Sequence, residues 1–217
     1  MNRYFEWFGL PGTFVLTMLL SLSALVFALI QPGKRSRWLV FLAMAMSSVG
    51  DVFMTNFRGV SRYVPDSFAC GAAAFMVSHV LYAAAYRRMA KARGCRLWNG
   101  GAVIAAVVAV GCVVYFTRMC VLRRNFGRFP LAMAYLAVIS VNLAAVFSYA
   151  WVRVRKNPLT LLAALGAAAF FASDFIIGLG MLARITRYDY LIWWLYPIGQ
   201  MLLIGAPVVI DIADKNP

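Results

Sequence analysis

Apolar runs of about 20 residues follow one another along the whole 217-residue chain, and this recurrence decides the architecture before any single side chain is considered. A helix needs about that length to cross ~30 Å of hydrocarbon. Backbone N–H and C=O groups cannot be left unpaired in lipid, so runs this long form helices rather than the short alternating strands of a barrel. With 64% hydrophobic and 13% charged residues, the chain carries more apolar surface than a soluble domain of this size can hide. The expected fold is all-α, a polytopic transmembrane bundle of about seven spans in a single integral membrane domain over 1–217. The spans fall roughly at 10–30, 38–56, 67–87, 99–117, 130–151, 159–182 and 190–210. Pro32-Gly33, Pro65, Pro130 and Pro158 sit near span boundaries, where proline costs a helix little. Trp38, Trp98, Trp151, Trp193 and Trp194 lie near span ends, as interfacial aromatics do.

The formal charge of +14 does not point to nucleic acid, because the basic residues sit between spans. Lys34, Arg35 and Arg37 form one cluster; Arg87, Arg88, Lys91, Arg93 and Arg96 a second; Arg153, Arg155 and Lys156 a third. That is the pattern of loops facing anionic lipid. The loops after spans 1, 3 and 5 together with the C-terminus hold 12 of the 21 Lys and Arg, and the other side holds nine. The positive-inside rule then sets the N-terminus out and the C-terminus in. The expected location is a bacterial inner (cell) membrane, with bilayer lipids as partners and no nucleic acid. The first 30 residues lack a small-x-small cleavage site and read as a retained span. Cys70, Cys95, Cys112 and Cys120 show neither a disulfide framework nor zinc-ligand spacing.

Seven residues are acidic, and five of them, Glu6, Asp66, Asp189, Asp211 and Asp214, fall in loops or tails. Only Asp51 and Asp174 lie within apolar runs, in SSVGDVFM and AAFFASDFIIG. An Asp at mid-span costs about 2.5–3.5 kcal/mol on insertion scales, so such residues face a polar interior and either fix packing or act. The single histidine, His79, lies in a third apolar run with Tyr82 three residues on, hence on the same helical face. Tyr196 and Gln200 share a face of the last span, while Tyr135, Asn142 and Tyr149 recur every seven residues along the fifth. Such stripes serve equally as interhelical glue or as the lining of a site. At 1.5 Å per residue, Asp51 lies about 20 Å and Asp174 about 22 Å from the inner side; His79 lies about 12 Å from it. One cavity can cover that spread. Asp51 precedes His79 by 28 residues and Asp174 precedes Gln200 by 26, a spacing that makes spans 2–3 and 6–7 resemble copies of one helix pair.

Four ordered pieces carry a further resemblance: Gly50-Asp51; Gly71 through Phe75 to Ser78-His79-Val80-Leu81-Tyr82; Gly166 through Phe170 to Ser173-Asp174; and Tyr196-Pro-Ile-Gly-Gln200. Together they make residues 37–210 resemble the lysoplasmalogenase-like, or YhhN, family of integral membrane proteins. Its members are typically eight-span proteins, so the resemblance implies that one N-terminal span is missing here or an eighth is present. The implied activity is hydrolysis of the vinyl ether bond of 1-alkenyl lysophospholipids within the bilayer, giving a fatty aldehyde and a glycerophospho-choline or -ethanolamine. Asp51 and Asp174 would then be the catalytic acid–base pair, without a cofactor or metal. His79, Tyr82, Ser173, Tyr196, Gln200, Tyr135 and Asn142 would orient water or substrate.

Three rivals stay open. A zinc-dependent, ceramidase-like hydrolase would need three protein ligands, and the chain has one histidine to offer. A transporter would bind ions at its intramembrane carboxylates, with Gly178-Leu-Gly180 as the one glycine-broken stretch. A structural protein would use the aspartates for packing.

Overall fold

The computed structural model describes residues 6–7, 10–96 and 98–214. These residues form seven long helices: α1 (Gly12–Ile30), α2 (Arg35–Met54), α3 (Ser67–Ala92), α4 (Gly100–Arg123), α5 (Phe129–Arg153), α6 (Thr160–Gly178) and α7 (Asp189–Ala213). A 3-10 turn, Phe57–Arg62, joins α2 to α3, and α6 ends in a π-turn, Leu179–Ala183. Helices α2 to α7 are each long and apolar enough to cross a membrane, and α1 precedes them with the apolar stretch Val15–Ile30. The protein is an integral membrane protein of all-α class. The chain divides into two compact units, Met1–Ala85 and Tyr86–Pro217, with the division falling inside α3.

Local chemistry explains where the helices begin. The Asn99 side chain accepts hydrogen bonds from the backbone N–H of Gly101 (3.0 Å) and Ala102 (3.3 Å), capping α4. Asp66 accepts from the N–H of Ala69 at 3.0 Å and does the same for α3. Pro130 occupies the first turn of α5, where its missing N–H costs nothing. Pro197 and Pro207 lie inside α7, as membrane helices tolerate. Hydropathy placed the ends of α3 and α4 early, at 87 and 117, because both helices continue through charged residues to Ala92 and Arg123. At the front of the chain Leu10 and Pro11 pair with Glu6 and Trp7 as two short antiparallel strands instead of opening the first helix.

The first unit contains α1, α2 and the first part of α3. Ser21 and Ser48 share a hydrogen bond at 2.9 Å between α1 and α2. Helices α2 and α3 run antiparallel in one register: Ser47 meets Ser78 at 2.8 Å, and the Tyr82 hydroxyl reaches Met44 Sδ at 3.7 Å. A Cβ on Gly50 would stand 2.7 Å from the Phe75 ring, and one on Gly71 would stand 3.2 Å from the Gly50 carbonyl oxygen. Glycine at both points is what allows the helices so close.

The second unit uses the same device twice. A Cβ on Gly101 would collide with the Phe147 carbonyl oxygen, so α4 touches the backbone of α5 there. Between α6 and α7, a Cβ on Gly166 would lie 3.0 Å from the Gly199 carbonyl oxygen, and one on Gly199 would lie 2.7 Å from the Phe170 nitrogen. At one end of the unit, Asp211 and Asp214 belong not to a loose tail but to the last turn and C-cap of α7. Arg93 donates to Asp211 (3.1 Å), Asp214 (3.2 Å) and the Tyr149 hydroxyl (2.7 Å), while Arg153 and Asn157 donate to Asp214 at 2.6 and 3.0 Å. Carboxylates at a helix C-terminus oppose its dipole, and these arginines offset that penalty.

The Asn157 hydrogen bond and then the Arg153 and Arg93 charges hold the Asp214 carboxyl below its ordinary value of 3.8, against the opposing effect of its partial burial. A depressed carboxylate pKa stabilises the fold fully above the unfolded value and loses that contribution as pH falls through the folded one. The thermal midpoint of the wild type in detergent is therefore expected to drop more steeply below about pH 4 than that of Asp214→Asn. Identical acid limbs for the two proteins would show that this carboxylate contributes nothing.

Candidate functional site: carboxylates and hydroxyls inside the spans

In the first unit, Asp51 lies three residues before the end of α2 and is buried, as are Ser47, one turn back, and Ser78, His79 and Tyr82 on α3. The backbone carbonyl of Asp51 accepts from the Thr55 hydroxyl at 2.7 Å and from the Thr55 N–H at 2.9 Å, closing the helix just beyond it. Gly50 and the Phe75 ring set the depth at which the two helices meet. From the Ser47–Ser78 contact, Asp51 lies four residues one way and His79 one residue the other, about 7 Å apart along the helix axes. Polar side chains thus cluster over a short depth of an otherwise apolar helix pair.

In the second unit the Tyr135 hydroxyl of α5 donates to Asp174 Oδ2 of α6 at 2.8 Å, and both residues are half-buried. Two residues singled out in separate spans are thereby joined by a direct side-chain hydrogen bond. On α7, Tyr196 packs edge-to-face on Phe170 with ring centroids 5.4 Å apart, a contact set by the Gly166 and Gly199 crossing beside it. Gln200 and Ser173 are fully buried, and Asn142 nearly so. The seven-residue stripe on α5 divides by function: Tyr135 serves Asp174, whereas Tyr149 serves Arg93 at the end of the unit. Helix α6 is not broken at Gly178-Leu-Gly180. It passes into the π-turn there, with the Phe116 ring 2.8 Å from where a Gly178 Cβ would stand.

Some of this polar framework is not evident from the sequence. Ser47, Ser21 and Ser48 look like ordinary small residues of apolar runs, and for Ser47 and Ser48 only their spacing of four and three from Asp51 hints at a shared face. Asp211 and Asp214 read as tail residues because hydropathy ends at 210, one residue short of the helical turn that holds them. Among the described residues, no three of His, Cys, Asp and Glu come together as a group able to hold a metal ion.

These features define a class: a polytopic α-helical membrane protein with two aspartates within its spans, one of them held by a phenol hydrogen bond. The chain belongs to the YhhN family, whose profile it matches over residues 12–206. It is 26% identical over 176 residues to proteins named lysoplasmalogenase from Mycobacterium bovis and Mycobacterium tuberculosis. The match covers 80% of this chain and 61% of each relative, so the chain matches less than two thirds of their length. No solved structure matches it.

Removing the Tyr135 donor by Tyr135→Phe is expected to cost about 1–2 kcal/mol of stability, read as a lowered thermal midpoint in detergent. Gly199→Val is expected to cost more, about 1–3 kcal/mol and with poorer yield, because its Cβ would displace backbone rather than a flexible side chain. A Gly199→Val variant as stable as the wild type would contradict the close α6–α7 crossing.

Proposed function

We infer that this protein is an intramembrane ether hydrolase that cleaves the vinyl ether bond of single-chain 1-alkenyl phospholipids, with Asp51 and Asp174 dividing the acid and base roles. The observation that carries this reading is the Asp174–Tyr135 pair, a carboxylate held by a phenol inside an apolar span, in a family with relatives named lysoplasmalogenase. Vinyl ether hydrolysis begins when an acid protonates the β-carbon of the double bond, leaving an oxocarbenium ion at the α-carbon. Water adds to that carbon and gives its proton to a carboxylate, forming a hemiacetal. The hemiacetal collapses, its hydroxyl proton passing to the departing glycerol oxygen, to a fatty aldehyde and a free glycerol hydroxyl; one water is consumed, and the proton taken up by the carboxylate must return to the acid before the next turnover. The reaction therefore calls for one protonated carboxyl group and one carboxylate, each shielded from bulk water.

Asp174 fits the carboxylate role, because the Tyr135 hydroxyl donates to it and holds one oxygen in a defined direction. Asp51 then supplies the proton. His79, Tyr82, Ser173, Asn142, Tyr196 and Gln200, all buried, orient the water and the ether oxygen. A long-chain substrate already resides in the bilayer, which accounts for a site carried on membrane-spanning helices. The protein is proposed to reside in a bacterial cell membrane with its C-terminus inside.

Purified protein is expected to release fatty aldehyde from 1-alkenyl lysophosphocholine or lysophosphoethanolamine. Asp51→Asn and Asp174→Asn are each expected to lower that rate at least about 100-fold, the usual worth of a general acid or base, while eluting as monodisperse protein. Undiminished release by either variant would remove that aspartate from the chemistry, and a folded wild type without release would overturn the activity.

A further inference from the structure

The unit Tyr86–Pro217 is basic at both ends, and membrane topogenesis accounts for only one of them. The positive-inside tendency loads Lys and Arg onto the cytoplasmic side alone. One end is formed by the close of α3, the α5–α6 turn and the close of α7. There Arg93 and Arg153 are neutralised by Asp211 and Asp214, and Lys91 and Lys156 also lie at this end. The opposite end is formed by the α4–α5 turn, 124–128, and the α6–α7 turn, 184–188. It carries Arg123, Arg124, Arg128, Arg184 and Arg187, no lysine, and one acid, Asp189, in the first turn of α7.

The two turns form one surface. Asn125 Nδ2 donates to the carbonyl oxygens of Met181 at 3.0 Å and Leu182 at 3.4 Å, and the Cys120 thiol donates to the Asn125 carbonyl at 3.1 Å. Each turn is entered through an arginine in the left-handed region, Arg124 with φ 51° and Arg184 with φ 56°. Gly or Asn takes that conformation at less cost, so arginine here places a guanidinium at the expense of backbone energy. Among the described residues, the Arg123, Arg124 and Arg184 side chains have neither hydrogen bond nor ion pair, and all three are exposed. The Arg187 guanidinium lies 4.6 Å from the Tyr188 ring centroid, a stacking that leaves its N–H edges available.

Guanidinium is the side chain suited to a phosphate, since its planar fork donates two parallel hydrogen bonds to two oxygens. Beneath this end, Tyr135 lies six residues into α5, about 9 Å down, and Asp174 lies nine residues before the close of the π-turn, about 13 Å down. An extended arginine side chain and a glycerol backbone laid end to end cover that separation.

We propose that the arginine-lined end of this unit binds the phosphodiester of a single-chain phospholipid, with the lipid's glycerol directed toward Tyr135 and Asp174. The identity of the bond beneath the headgroup rests on the ether-hydrolase reading; the phosphate site does not. Arg124, Arg184 and Arg187 supply the charge and the paired donors, and the apolar flanks of α4 and α5 accompany the chain into the bilayer.

The test is equilibrium binding of lysophosphatidylcholine and of a monoacylglycerol with the same acyl chain to the full-length protein in maltoside micelles. The wild type is expected to favour the phospholipid at least tenfold, and Arg124→Gln/Arg184→Gln/Arg187→Gln to reduce that ratio to within threefold of unity. No preference in the wild type, or a preference that survives in the triple variant, overturns the proposal. Should the triple variant lose monodispersity, Arg184→Gln and Arg187→Gln singly are each expected to lower the ratio at least threefold, and unchanged ratios in both overturn it. Displacement of the lysolipid by low-millimolar inorganic phosphate at constant ionic strength would identify a free-anion site instead and overturn the lipid assignment. Because no turnover is measured, a protein with this selectivity that releases no aldehyde contradicts the proposed activity alone.

Discussion

The contact on which the second unit depends is the approach of α7 to α6 at Gly166 and Gly199, where a methyl group on Gly199 would collide with the Phe170 nitrogen and one on Gly166 would crowd the Gly199 carbonyl. Inside a bilayer, lipid tails are as apolar as the helices themselves, so close packing and hydrogen bonds hold helices together in place of hydrophobic exclusion. The glycine crossing brings Phe170 and Tyr196 into edge-to-face contact and sets Ser173 and Asp174 one turn beyond it. A second close approach, Gly101 against the Phe147 carbonyl, seats α4 on α5, the helix that presents Tyr135 to Asp174. Glycine thus determines where the polar residues stand, although it contributes no chemistry of its own.

Within this frame, several polar side chains at mid-span have partners on a neighbouring helix. A carboxylate or hydroxyl removed from water must replace the hydrogen bonds it has lost. Asp174 has the Tyr135 hydroxyl, Ser47 has Ser78, Ser21 has Ser48, and the Tyr86 hydroxyl donates to the Leu203 carbonyl at 2.8 Å. Charge is treated differently at the helix ends. There Arg93 and Arg153 gather Asp211, Asp214 and Tyr149 into one network that ties α5 and α7 to the close of α3. Asp174 in its span is held by a neutral donor, while the carboxylates at the end are held by full charges. The contrast is one of setting: a single phenol holds Asp174 within its span, whereas two guanidinium groups and an amide hold Asp214 at the helix end.

The resemblance motifs take on a physical meaning in this light. Gly50, Gly71 and Phe75 in one helix pair, and Gly166, Phe170 and Gly199 in the other, are the points where helices touch. Asp51, His79, Asp174 and Gln200 lie next to such points or one turn away. Each motif therefore couples a crossing to a polar side chain, which is what holding a group at a fixed depth in lipid requires. The spacing resemblance between spans 2–3 and 6–7 has the same root, since each pair of helices meets at glycine and phenylalanine.

Read by itself, the sequence determined that the chain spans a membrane as helices, where those helices lie to within about six residues, and which carboxylates are out of place in lipid. Hydropathy and helix rise depend only on local composition and carry that information directly. It could not determine that the Tyr135 hydroxyl donates to Asp174, or that Asp211 and Asp214 close a network with Arg93 and Arg153. Nor could it show that Asn125 draws the two arginine turns into one surface. Those outcomes depend on the rotation of each helix about its axis and on its crossing with a neighbour distant in the chain. Both are set by the packing of small residues against backbone, a property of pairs of helices that no single span contains.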